Sequence, residues 1–166
     1  MSQDHCRTVV RRLAATAILS SLALAPLSWA AEFSYDFVAC TYGRSIPLEA
    51  NADIVASGGE SWGVVSSSTT KEWENATTRC VGYMRVVGGK PLGRGVCKWV
   101  HATGDTAVGE YEYSTTAAPK FTWLTGTGRL KGIGGGGSFK TIFNGKPVDA
   151  GTSQGCRQDW GTYTLP

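Results

Sequence analysis

Alternation with a period of two, in short segments punctuated by glycine, is the feature that most constrains this chain. FSYDF (33–37) sets Phe33, Tyr35 and Phe37 on one side, VGEYEYS (108–114) sets Tyr111 and Tyr113 against Glu110 and Glu112, and KFTWLT (120–125) aligns Phe121 with Trp123. SWGVVSSS (61–68), CVGYMRVV (80–87), GVCKWVH (95–101), SFKTIF (138–143) and WGTYT (160–164) continue the series, with NADIVAS (51–57) a further candidate. Residues two apart share a face only in an extended chain, so each segment reads as a half-buried strand. TTKEWENATT (69–78) reads as a loop or a strand approach. Many short strands joined by short, sequential connections favour an up-and-down barrel, whose closure removes the exposed edges of a sheet. The expectation is an all-β, single antiparallel up-and-down β-barrel of about eight strands.

That expectation applies to residues 31–166. Residues 1–30 carry the marks of a cleaved signal peptide: Arg7, Arg11 and Arg12, an apolar run from Leu13 to Leu27, and the small residues Ser28 and Ala30. The run is interrupted by Ser20, Ser21 and Pro26 and falls short of the roughly 20 apolar residues of a membrane-spanning helix. Val10 precedes the Arg11-Arg12 pair, which favours general secretion over twin-arginine export. An Ala-rich, compact leader suggests a bacterial protein in the periplasm or outside the cell. Once the leader's three arginines and Asp4 are set aside, little of the formal charge of +3 remains. The scattered Lys and Arg of the domain give no footprint for nucleic acid, and no second membrane segment follows.

Cysteine usage fits export. Beyond Cys6 in the leader, the domain holds Cys40, Cys80, Cys97 and Cys156, isolated from one another and accompanied by one histidine, His101. Zinc sites need clustered Cys or several His, so two disulfides are expected, with no metal and no cofactor. Closing the barrel brings the first strand, with Cys40, beside the last, near Cys156. Reflection about Gly88-Gly89 puts Cys80 opposite Cys97. Cys40–Cys156 and Cys80–Cys97 are therefore the favoured pairs among three possible pairings.

The glycine-rich stretch GTGRLKGIGGGGSFKT (126–141) contains a G-x-G-x-x-G spacing at Gly132, Gly134 and Gly137. A dinucleotide fingerprint needs a helix after it, and here the strand SFKTIF follows. The stretch is instead a connector: Thr127 caps one helical turn, Leu130 and Ile133 plug one end of the barrel, and Arg129 and Lys131 face water. Gly126, Gly128 and Gly132 let the chain reverse, and Gly134 to Gly137 permit a bend as the next strand begins.

The order GD (104–105), YEY (111–113), GTGRLKGIGG (126–135) and then an alternating strand resembles the C-terminal half of allene oxide cyclase and dirigent-type barrels, which carry a GTG-x-F-x-G-like connector. It is also similar to small exported bacterial proteins of undefined function. The resemblance spans Gly104–Phe143 and implies an eight-stranded antiparallel barrel with a small interior cavity. No catalytic residue carries over, and the two disulfides depart from the pattern.

Recognisable catalytic arrangements are missing. Glu110 and Glu112 on one strand face read as the solvated side, and His101 reads as a surface or hydrogen-bonding residue. These three are the ionisable groups to test if the barrel is an enzyme. Aromatics are the stronger signal. Tyr83, Trp99, Tyr111, Tyr113, Phe121 and Trp123 are candidates to line a cavity for a small apolar or aromatic ligand, or to fill the interior outright. Non-catalytic binding is the leading expectation. A cyclase- or isomerase-like enzyme working by positioning, and a surface module using exposed Trp residues, are the alternatives.

Overall fold

The computed structural model describes residues 30–51 and 54–166. The expected signal peptide, apart from its last residue, lies outside the described residues, as do Ala52 and Asp53 of the NADIVAS segment. Eight strands follow in chain order: β1 (Ala31–Ala50), β2 (Ile54–Ser68), β3 (Thr77–Val87), β4 (Lys90–Val100), β5 (Thr106–Ser114), β6 (Lys120–Gly126), β7 (Gly134–Asn144) and β8 (Thr152–Leu165). Each pairs antiparallel with the next, and β1 pairs with β8, so the sheet closes into a barrel in sequence order. Residues 54–57 of the NADIVAS segment and the segment 61–68 belong to one long strand, because Gly58 and Gly59 continue the β1 ladder opposite Ile46 and Ser45.

Both expected disulfides form. Cys40 and Cys156 are direct cross-strand partners where β1 meets β8, and Cys80 and Cys97 are partners across the β3–β4 hairpin. Gly88 and Gly89, at φ 53° and 74°, make the two-residue turn that sets this register. Such bridges persist in an oxidising, non-cytoplasmic environment. No helix among the described residues is long and apolar enough to cross a membrane.

Strand alternation assigns the interior. Tyr35, Phe37, Cys97, Trp99, Phe121, Trp123, Phe139 and Tyr163 are buried, whereas Glu110 and Glu112 on the opposite parity of β5 are exposed. The inward residues are distributed unevenly along the axis. At the end reached by the β2–β3, β4–β5 and β6–β7 connections, Trp73 from loop 69–76 folds inside. It is fully buried, stacked on Trp123 at 4.8 Å and edge-on to Trp99 at 6.2 Å. Asn75, at φ 60°, turns the chain back so that Ala76 N donates to Trp73 O at 3.1 Å.

The β6–β7 connector seals the same end. Its single helical turn, Gly128–Leu130, buries Leu130, and Ile133 follows it inward. Thr127 does not cap that turn with its side chain. Its hydroxyl instead accepts from Thr106 N at 3.0 Å and pairs with the Thr106 hydroxyl at 2.9 Å, fastening the connector to β5. Gly132 takes the left-handed conformation at φ 78°. Outside, Arg129 bonds Glu72 at 3.2 Å and Asp105 at 2.9 Å, joining the two plugs to each other and to the β4–β5 turn.

Candidate functional site

The opposite end of the barrel is open. A cavity of about 580 Å³ lies there, lined from seven of the eight strands, including Thr41, Ser61, Cys80, Tyr111, Phe139 and Arg157. Met84, Pro91 and Tyr113 stand at its rim side. Lining from nearly every strand means the cavity is axial, the unfilled half of the barrel interior.

Small inward residues create this space. Where β1, β2 and β8 pass the cavity they present Thr41, Gly43, Ser61 and Ser153, and across from them Gly82 and Gly95 form a berth for one ring. A Cβ at Gly82 would collide with the Tyr111 hydroxyl, and one at Gly95 with the Tyr111 ring. Tyr111 therefore lies flat over β3 and β4, meeting Phe139 edge-on at 6.4 Å. Burial raises the Tyr111 hydroxyl above the ordinary tyrosine range. The Cys80–Cys97 bridge forms part of the wall, while Cys40–Cys156 has the other parity and lies on the outer side of the seam.

The floor carries charge. Arg157 and Asp159 are both inward on β8, and Arg157 Nε donates to Asp159 Oδ2 at 3.0 Å. The guanidinium lies 5.0 Å over the Phe139 ring and 5.9 Å from Trp99, and its Nη2 is buried without a hydrogen-bond partner. Burial pushes the Asp159 carboxyl up to about 6, with Arg157 opposing. Tyr35, beneath the pair, is pushed well above its ordinary value by burial and then by the Asp159 charge, with the Trp123 side chain and Arg157 opposing.

The residues singled out by sequence separate into three groups. Tyr111 and Tyr113 line the cavity. Trp99, Phe121 and Trp123 belong to the packed half, each under 5% exposed, where Phe121 and Trp123 meet edge-on at 4.7 Å. Tyr83 projects outside and is 45% exposed. Glu110 and Glu112 also face out, and Glu112 pairs with Arg94 at 3.0 Å. His101 is not a surface residue: it is buried at the sealed end, edge-on to Trp73 at 4.5 Å, and burial lowers its pKa. It does not reach the cavity.

Arg157, Asp159 and Phe139 were not singled out by sequence. The available signal was parity, since Arg157, Asp159 and Gly161 fall on the same face of β8 as Tyr163. No group of three or more His, Cys, Asp or Glu side chains among the described residues could hold a metal.

A cleft of about 730 Å³ lies between the β1–β2 arm and the β7–β8 loop, but its apolar wall, Ile46 and Leu48, is 71% and 69% exposed to water. Trp62 and Trp160 are half-exposed on the outer face, each beside a cation, Arg79 and Lys140 respectively. Their β1 partners are Tyr42 and Asp36, six residues apart, so about 20 Å separates them along the strands. Compared with known proteins, the chain matches no family model and no curated sequence.

Proposed function

We propose that this protein binds a small apolar or aromatic molecule in the open half of its barrel without transforming it. The observation that carries this reading is the axial cavity of about 580 Å³, walled by Tyr111, Tyr113 and Phe139 and closed underneath by the Trp73–Trp99–Trp123 cluster. Ligand pockets fall in the range of roughly 300–1,000 Å³ and are mostly apolar with a few convergent polar groups. This cavity falls within that range of volume, with its aromatic wall of Tyr111, Tyr113 and Phe139 faced by polar Thr41, Ser61, Thr141 and Ser153. Two large clusters within one barrel, one filled and one hollow, divide the labour between stability and binding.

A cyclase- or isomerase-like activity is the second reading. It draws on Asp159, Arg157 and Tyr35, the ionisable groups at the cavity floor, rather than on Glu110, Glu112 or His101. The similarity of Gly104–Phe143 to allene oxide cyclase and dirigent-type barrels accords with either reading. A Trp platform on the outer surface has less support, because Trp62 and Trp160 are too far apart to stack on one ligand. The signal-like leader and the disulfides support an exported protein, released by general secretion into the bacterial periplasm or beyond.

Titration of the domain with N-phenyl-1-naphthylamine, a neutral aromatic dye that brightens in apolar surroundings, tests the reading. Saturable one-to-one binding is expected in the wild type. Thr141→Trp, which fills the cavity from β7, should abolish it with the unfolding midpoint unchanged. Binding that survives Thr141→Trp, or no binding at all, would overturn the proposal.

A further inference from the structure

The charged floor specifies more than an apolar ligand, provided that the hollow half of the barrel is a binding cavity as proposed. An arginine buried among rings has lost most of its water, and each of its N–H groups left without an acceptor is costly. Arg157 has one acceptor, Asp159 Oδ2, engaged through Nε. Nη2 is buried and has none. Arg157 also contributes to the cavity lining, with 18% of its side chain still exposed. The Phe139 ring, its centroid 5.0 Å from the guanidinium carbon, packs against the group and holds it at the cavity floor.

We infer that the ligand is an aromatic molecule bearing an anionic group, a carboxylate or a sulfonate, and that the Arg157 guanidinium receives that group at the cavity floor. The fork of guanidinium donors matches two oxygens of such an anion. Tyr111, Tyr113 and Phe139 then hold the aromatic body above it.

Asp159 modulates this site. As a carboxylate it neutralises Arg157 and repels the incoming anion; once protonated it leaves the guanidinium uncompensated. A bound anion in turn favours the protonated form, so binding takes up a proton and strengthens as pH falls. The groups facing Asp159 allow this. β1 contributes Tyr35, held neutral by burial, and uncharged Phe37; β7 contributes uncharged Phe139; and β8 contributes Arg157 itself. His101 is confined to the sealed end against Trp73.

Two dyes sharing one aromatic skeleton separate the possibilities: 8-anilinonaphthalene-1-sulfonate, anionic across the range, and neutral N-phenyl-1-naphthylamine. The sulfonate dye should bind the wild type roughly tenfold more tightly at pH 5.5 than at pH 8, the neutral dye less than about twofold more tightly. The paired replacement Arg157→Met with Asp159→Leu, which leaves no lone buried charge, should remove the preference for the sulfonate and its pH dependence while retaining the neutral dye. Equal, pH-independent binding of both dyes by the wild type would overturn the anion assignment and leave the cavity reading standing. A sulfonate preference that persists in the double variant would overturn the role of Arg157. Failure of both dyes to bind would overturn the cavity reading and this inference together.

Discussion

Asp159 holds a position that few aspartates occupy: an inward site of a small barrel, 3% exposed, with Arg157 as its ionic partner. Desolvation raises its carboxyl pKa from 3.8 to about 6, so the native state keeps a proton that the unfolded chain releases. Stability from this group is therefore fully present below about pH 4, declines as pH rises to about 6, and is flat above. His101 acts in the opposite sense. Its lowered pKa favours the fold above the ordinary histidine range and withdraws that support on acidification. Asn cannot titrate, so the difference in unfolding free energy between Asp159→Asn and wild type isolates the aspartate. That difference should shift in favour of the variant by a few kcal/mol between pH 4 and pH 7, measured by urea unfolding at each pH. A difference independent of pH would show that Asp159 is not desolvated in the native protein. Neither Asp159 nor Arg157 stood out in the sequence, for a physical reason. Charges at i and i+2 in a strand normally mark the solvated face, and a one-residue change of register exchanges the two faces. Glu110 and Glu112 obey that rule and Arg157 and Asp159 break it, because a hollow barrel half can accommodate an ion pair that a filled core would exclude.

At the level of elements, the strands were legible because inward and outward positions differ in size as well as polarity. The β3–β4 hairpin shows this most clearly, since Gly88-Gly89 alone marks the turn and hence the Cys80–Cys97 partnership. The plug at Leu130 and Ile133 was equally readable from their spacing. Trp73 was not, because an isolated loop tryptophan has no periodicity to locate it. Glycines within strands have a separate role, which the hairpin also tests. Gly95 faces the barrel interior, where a methyl group would meet Val81 O and the Tyr111 ring. Gly93, one inward position nearer the open end, has no contact closer than 3.3 Å. Gly95→Ala should cost about 1–3 kcal/mol through overpacking, and Gly93→Ala about 1 kcal/mol or less. Thermal unfolding compares them, and equal costs would mean that Tyr111 is not seated over Gly82 and Gly95.

Considered as a whole, the molecule is a barrel sealed at one end and hollow at the other, with its seam fastened outside by a covalent bond. Closure and both bridges followed from sequential short connections and from the placement of cysteines. The division into filled and hollow halves did not, because glycine and aromatic residues alternate inward along the whole length and only their stacking order decides where space remains. The seam bridge spans 116 residues and the hairpin bridge 17. By loop-closure entropy, replacing Cys40 and Cys156 with Ser should lower the unfolding free energy by about 4–5 kcal/mol, against about 3 for the shorter loop. Denaturant unfolding under oxidising conditions measures the loss, and a change below about 1 kcal/mol would mean that strand pairing alone holds the seam. The hollow half remains the central claim, and amide chemical-shift mapping during titration with the neutral naphthylamine dye tests it most directly. Shifts concentrated at Cys80, Tyr111, Tyr113, Phe139 and Thr141 are the predicted result. Shifts confined to the outer face around Trp62 or Trp160, with those interior residues unmoved, would contradict it.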